Sequence, residues 1–214
     1  MDFKISASIL NANFLNLQKD IDEVIDVIDE IHFDIMDGRF VENISYGPQV
    51  LSSLRKRYKE TVFDTHLMID NPGKYWKNFQ KAGSDIIVFH YEATPHSYII
   101  LKKIKESGLK SGISVTPGTD ISILKPLKNY LDRLLIMTVE PGFGGQKYIP
   151  EMLKKVEKAR KIFGNKIDIE VDGGIKNSNI KDFKDAGANV FVIGSYIFKA
   201  DNKKQNVMNL RKLI

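Results

Sequence analysis

The chain contains no cysteine. Disulfides and thiolate metal sites are therefore excluded, and any bound metal takes nitrogen and oxygen ligands. It has no low-complexity tract, no linker-like stretch and no repeat of regular spacing, which sets aside tethered modules and solenoids. No apolar run approaches transmembrane length. The opening Met1-Asp2-Phe3-Lys4 lacks the basic segment and apolar stretch of a signal peptide. A cytoplasmic location with no membrane partner is expected. Histidine is scarce too: four residues in 214. Three of them, His32, His66 and His90, fall in strand-like runs, which makes their placement informative.

What is present supports one large core. The 43% hydrophobic fraction and 214 residues suit a single domain spanning residues 1–214. The net charge of +5 invites a comparison with nucleic-acid binders. However, the lysines interleave with acids along helical stretches, as in Lys154-Lys155-Val156-Glu157-Lys158, and no recognition motif accompanies them. No nucleic-acid partner is expected. A mild positive field does suit an anionic metabolite.

Strand patterns alternate with helix patterns from end to end. The strands read as Lys4–Ile9, Ile31–Met36, Val62–Met68, Asp85–His90, Lys110–Val115, Arg133–Thr138, Ile167–Val171 and Asn189–Ile193. Amphipathic stretches between them include Phe14–Val27, Pro72–Ala82, Tyr98–Ser107, Pro150–Phe163 and Asn179–Ala186, with a weaker helical link at Thr119–Leu131. Ala82-Gly83-Ser84-Asp85 and Ala186-Gly187-Ala188-Asn189 are matching phrases that stop a helix and start a strand. Eight strands, each followed by a helix-like link, predict a single (β/α)8 TIM barrel with parallel pairing. An open doubly wound sheet explains less well why polar groups recur at so many strand ends.

Those strand ends carry the chemistry. His32 and Asp34 lie two apart on one strand and so face the same way. His66 closes a second strand run and Asp172 a third. A lone strand histidine is ordinarily a satisfied core residue, and a lone Asp before Gly a turn residue. Together, two imidazoles and two carboxylates at a barrel mouth are costly to bury unless they pair or bind a cation. They can hold one divalent metal ion (Zn, Fe(II), Mn or Co) and still supply a pair of acid/base groups. Ser8 ends the first strand on the same side. His90 has no evident metal partner and reads as support for the site.

Three glycine phrases make a second constellation: Pro141-Gly142-Phe143-Gly144-Gly145-Gln146, Gly173-Gly174 and Gly194-Ser195. They follow the sixth, seventh and eighth strands. Glycine lets backbone N–H groups approach an anion closely, and the loops after strands seven and eight are a recurrent phosphate site in this fold. Met36, Met68 and Met137 also sit at strand ends, where they would form a soft, water-poor wall.

Taken together, these phrases resemble the ribulose-phosphate 3-epimerase family. The resemblance rests on Ser8-Ile9-Leu10, His32 to Gly38, Asp64 to Met68, His90 to Thr94, Pro117 to Thr119, Pro141 to Gln146, Glu170 to Ile175 and Gly194-Ser195. It implies metal ligation by His32, Asp34, His66 and Asp172, and acid/base catalysis by Asp34 and Asp172. It also implies contacts to a small sugar phosphate from Ser8, His66, Gly142, Phe143, Gly144, Gly145, Asp172, Gly173, Gly174, Gly194 and Ser195. Met36, Met68 and Met137 would line the intermediate. The implied reaction interconverts D-ribulose 5-phosphate and D-xylulose 5-phosphate in the pentose phosphate pathway. It proceeds through a metal-stabilised enediolate, with Asp34 as acceptor and Asp172 as donor in the ribulose-to-xylulose direction. A homo-oligomer is expected. The chain departs from the family in Arg39-Phe40-Val41-Glu42-Asn43, where His-Phe-Val-Pro-Asn is usual, and at Thr116, where Asn is frequent. The departures lie near the mouth and bear on substrate choice, so a six-carbon ketose phosphate such as D-allulose 6-phosphate is the alternative. A lyase or decarboxylase on the same barrel would place a Lys among the carboxylates, and Asp34-Ile35-Met36-Asp37 has none. A binding protein without catalysis has no reason to keep both acid/base carboxylates.

Overall fold

The computed structural model describes residues 2–214. Eight parallel strands close into a barrel in chain order. They are β1 (Lys4–Ser8), β2 (Glu30–Met36), β3 (Val62–Met68), β4 (Ile86–His90), β5 (Lys110–Val115), β6 (Arg133–Met137), β7 (Asp168–Asp172) and β8 (Val190–Ile193). Pairing of β1 with both β2 and β8 completes the ring. The TIM barrel expected from the alternation is thus the observed fold. All eight expected strands are present, with small shifts at their ends; β7 runs one residue further than read, so Asp172 is its last residue.

The helices are α1 (Leu17–Asp22), α2 (Pro48–Arg57), α3 (Pro72–Ala82), α4 (Ser97–Glu106), α5 (Met152–Phe163), α6 (Ile180–Asp185), α7 (Ser195–Phe198) and α8 (Lys203–Arg211). The helix expected over Phe14–Val27 contracts to a 3₁₀ turn at Phe14–Asn16 followed by α1. The link between β5 and β6 is a 3₁₀ helix, Ile121–Tyr130, with Pro126 inside it. Proline has no N–H to donate and crowds the preceding turn, so an α-helix cannot run through undisturbed.

The matching glycine phrases are one structural device used twice. Gly83 ends α3 at φ +108°, and its carbonyl accepts from Arg55 Nε at 2.9 Å. Gly187 follows α6 at φ +109°, and its carbonyl accepts from Arg160 Nε at 2.8 Å. In each case the same guanidinium also reaches the residue just before the next strand, Asp85 or Asn189. Helix ends and strand starts are thereby locked together on both sides of the barrel.

Strand alternation decides which side chains reach the site. All seven residues of β2 are buried, but in two different places. Ile31, Phe33 and Ile35 join the apolar layer between barrel and helices, with Leu51, Leu54 and Phe79. Burying each contributes roughly 1.5–3 kcal/mol. That layer fixes the strand, and Glu30, His32, Asp34 and Met36 consequently point into the barrel. Register then sets neighbours: His32 beside Asp64, Asp34 beside His66, Met36 beside Met68.

The lower barrel interior is ionic. Arg133, 1% exposed, makes a bidentate pair with Glu30 at 2.7 and 2.9 Å. It also lies 3.1 Å from Asp64 and 3.5 Å from Glu170. Removing one partner of a buried ion cluster leaves uncompensated charge. Arg133→Met is therefore expected to destabilise the fold by about 3–5 kcal/mol, measured by denaturant unfolding. A loss under about 1 kcal/mol would show that the acids below the site need no cation.

Candidate active site

The four residues singled out at strand ends converge. Asp34 Oδ1 lies 3.2 Å from His32 Nε2 and 3.3 Å from His66 Nδ1. Its Oδ2 accepts from the Ser8 hydroxyl at 2.6 Å. Asp172 Oδ2 comes to 4.0 Å of His66 Nδ1. One ligand atom from each of the four lies within 4.8 Å of the others. His32 and His66 are fully buried, whereas Asp172 keeps 19% of its side chain open to the cleft.

The electrostatics follow from that packing. Burial opposes charge on Asp34, but the two imidazoles outweigh it and hold the carboxyl well below the usual range. Burial also opposes a charged His32, and Asp34 and Asp64 overcome it, raising the pKa well above the usual 6.5. His66 moves the other way: burial, only partly offset by Asp34, lowers it to about 4. Burial and then the charge of Asp34 push Asp172 up to about 7.

This donor set fits a divalent cation. His32 Nε2 is buried with no hydrogen-bond partner, while its Nδ1 pairs with Asp64 at 2.9 Å. A carboxylate on one ring nitrogen that leaves the other facing two more carboxylates and an imidazole is an arrangement typical of metal-ligating histidine. The neighbouring group His32, Asp64 and Glu170 is also close enough to hold an ion. There, however, the Arg133 guanidinium already supplies the positive charge.

Above the tetrad, one cleft is lined by Ser8, Asp34, Met36, Met68, Met137 and Asp172, and by Gly142, Gly144, Gly145, Gly173, Gly174, Gly194 and Ser195. The three methionines are nearly fully buried in its wall. Phe143 stands at the rim, 56% exposed. His66 is not part of the lining; it is fully buried, 3.3 Å from Asp34. Gly174 has φ +67°, and a Cβ there would fall 2.7 Å from the Gln146 carbonyl and 2.8 Å from the Tyr148 amide. Only glycine lets the loops after β6 and β7 meet this closely.

Two neighbours of the site are not evident from sequence motifs. Asn11, just past β1, lines the cleft, and its side-chain oxygen would lie 2.8 Å from a Cβ placed at Gly194. Asp64 faces inward by the same alternation as His66, a signal readable in Asp64-Thr65-His66. Its partnership with His32 depends on the register of β2 against β3.

The fold and cleft define a (β/α)8-barrel protein with a buried His/carboxylate cluster at the C-terminal strand ends. Solved structures share that fold. The crystal structure of 3-hexulose-6-phosphate synthase superposes with a TM-score of 0.77 at 18% identity, covering 99% of both chains. That of 3-keto-L-gulonate-6-phosphate decarboxylase from Vibrio cholerae gives 0.77 at 15% identity, covering 100% of this chain and 97% of the other. At those identities the likeness concerns the fold alone.

The family is set by sequence. The profile of the ribulose-phosphate 3-epimerase family matches residues 4–198. The chain is 44% identical to the ribulose-phosphate 3-epimerase of Buchnera aphidicola, covering 98% of this chain and 94% of that protein. It is 42% identical to the cytoplasmic isoform of that enzyme from Oryza sativa, covering 99% and 94%. It is 38% identical to the Bacillus subtilis enzyme, covering 97% and 98%. The chain belongs to the ribulose-phosphate 3-epimerase family. No helix of the described residues is long and apolar enough to cross a membrane.

Proposed function

We propose that the protein interconverts D-ribulose 5-phosphate and D-xylulose 5-phosphate by epimerisation at C3, with one divalent cation bound and the whole chain acting as one catalytic domain in the cytoplasm. The observation that carries this reading is the placement of two carboxylates from different strands, Asp34 on β2 and Asp172 on β7, in the lining of a single cleft together with three glycine phrases.

Inverting a carbon next to a carbonyl means removing a proton from one face and returning one to the other. One base cannot easily serve both faces, so two carboxylates flanking the sugar suit the task. With no cation bound, Asp34 is biased toward the ionised form and Asp172 toward holding a proton near neutral pH. In the ribulose-to-xylulose direction Asp34 accepts the C3 proton and Asp172 delivers one to the opposite face. For the return reaction the roles exchange. Ser8 orients Asp34 through its 2.6 Å hydrogen bond. The backbone amides of Gly142–Gly145, Gly173-Gly174 and Gly194-Ser195 bind the phosphate and fix C3 between the carboxylates. Met36, Met68 and Met137 exclude water from that region. His32, Asp34, His66 and Asp172 would hold the cation, which would supply Lewis acidity for proton abstraction at C3.

Chelation tests the metal part of this reading. Prolonged chelation is expected to abolish turnover of ribulose 5-phosphate, and a divalent cation to restore it. The pKa directions add a sign. Without metal, Asp172 and His32 keep protons to higher pH than usual, Asp172 to about 7. A cation must displace those protons, so binding at pH 6 releases protons and affinity rises between pH 5 and 8. Calorimetry in two buffers of different ionisation enthalpy reads this directly. Identical heats in both buffers, or full activity of metal-free protein, would overturn the assignment.

A further inference from the structure

We infer that His90 and Glu92 are a positioning pair for the metal site: His90 accepts the Nε2 proton of His66, and Glu92 holds His90 in the tautomer able to accept it. This rests on the reading above that His66 is a ligand. His66 turns Nδ1 toward Asp34 and Asp172. Its other nitrogen, Nε2, lies 2.9 Å from His90 Nε2. Two ring nitrogens at that distance share one proton, so one must donate and the other accept. A ligating Nδ1 carries no proton, which leaves a neutral His66 protonated on Nε2. His90 Nε2 must then be a bare lone pair, and the His90 proton sits on Nδ1. That nitrogen has no well-formed hydrogen bond and faces Glu92 Oε2 at 3.4 Å.

Glu92 is fixed from the far side. Its Oε1 accepts from the Thr116 amide at 2.9 Å and the Thr116 hydroxyl at 3.1 Å, and from the Thr119 hydroxyl. Lys155 Nζ pins that loop by donating to the carbonyls of Thr116, Pro117 and Thr119 at 3.0, 2.7 and 2.8 Å. Phe40 covers the His90 ring, with centroids 4.7 Å apart. The two histidine ligands are thus oriented differently. His32 leans directly on a carboxylate, Asp64, whereas His66 leans on a neutral imidazole that passes the demand on to Glu92.

The test is zinc affinity of the full chain, measured by competition with a chromogenic chelator, together with nitrogen-15 shifts of the histidine rings. Losing a partner behind a ligand weakens metal binding by about 10–100-fold. That loss is expected for His90→Leu, with a smaller one for Glu92→Gln. His90→Gln, whose amide oxygen can accept from His66 Nε2, is expected to recover most of the affinity. In zinc-loaded wild-type protein the protons should lie on His66 Nε2 and His90 Nδ1, a measurement that needs no variant to fold. Wild-type affinity in His90→Leu, or a His90 protonated on Nε2 in the loaded protein, overturns the pair alone. A wild-type chain that binds no zinc overturns the metal reading and this inference with it.

Discussion

Asp34→Asn and Asp172→Asn are each expected to cut turnover of ribulose 5-phosphate by at least about a hundredfold, the scale for losing a general acid or base. Both residues also belong to the proposed metal set, so the rate alone is ambiguous. Asparagine keeps one oxygen donor and nearly the same shape, and metal content is measured alongside. The decisive readout is solvent deuterium at C3. With Asp172 neutralised, Asp34 still faces the C3 proton of ribulose 5-phosphate, so exchange into ribulose persists while inversion fails. With Asp34 neutralised, exchange survives from the xylulose side instead. A variant that keeps its metal and epimerises at near the wild-type rate removes that residue from the acid/base pair. Loss of exchange from both epimers in a metal-replete variant would mean that the two carboxylates do not divide the faces between them.

The tetrad was legible because strand alternation is a local property. In Glu30-Ile31-His32-Phe33-Asp34-Ile35-Met36 the apolar positions name the outward face, so the polar ones must point inward. Three glycine phrases after consecutive strands were legible for the same reason: each is a short, contiguous signal. What lay outside local reach depends on register. Asp64 supports His32, and His90 meets His66, only because β2, β3 and β4 pair at particular offsets. Arg133 opens its strand, and only the closing of the ring brings it among Glu30, Asp64 and Glu170. The contraction of the helix expected at Phe14–Val27 is local instead: the Asn13 side chain caps a 3₁₀ turn by accepting from the Leu15 amide at 3.1 Å, and its own amide donates to Asp20 at 2.8 Å. His66 is a case where position was legible and contact was not. It falls at the right strand end, but it is fully buried beside Asp34 and does not line the cleft.

Removing the phosphate from the substrate is expected to lower kcat/KM by about a thousandfold or more, and to lower kcat itself as well as raise KM. The glycine phrases and the carboxylates line one cleft. In ribulose 5-phosphate the phosphate sits on C5, two carbons from C3, so its binding energy is generated away from the reacting carbon. Such energy can be spent on positioning C3, and a substrate without the anchor loses that positioning. If only KM rose for free ribulose, the phosphate would be a handle for capture and not for alignment. The same geometry sets chain length. The carboxylates belong to β2 and β7, and Gly173-Gly174 and Gly194-Ser195 directly follow β7 and β8, so the distance from that part of the anchor to the carboxylates is fixed by the ring. A six-carbon ketose 6-phosphate places one more carbon between phosphate and C3, and the reacting carbon then misses the carboxylate pair. Ribulose 5-phosphate is accordingly expected to exceed allulose 6-phosphate in kcat/KM when the two are assayed side by side. Faster turnover of the six-carbon sugar would move the assignment, and the next place to look is the neighbouring mouth cavity lined by Arg39, Phe40, Glu42 and Glu140. Arg39 pairs there with Asp70 at 3.3 Å and is 77% exposed. An Arg39→His, Glu42→Pro double variant restores the usual family phrase. Unchanged selectivity in that variant would place the control of chain length in the barrel and not in its mouth.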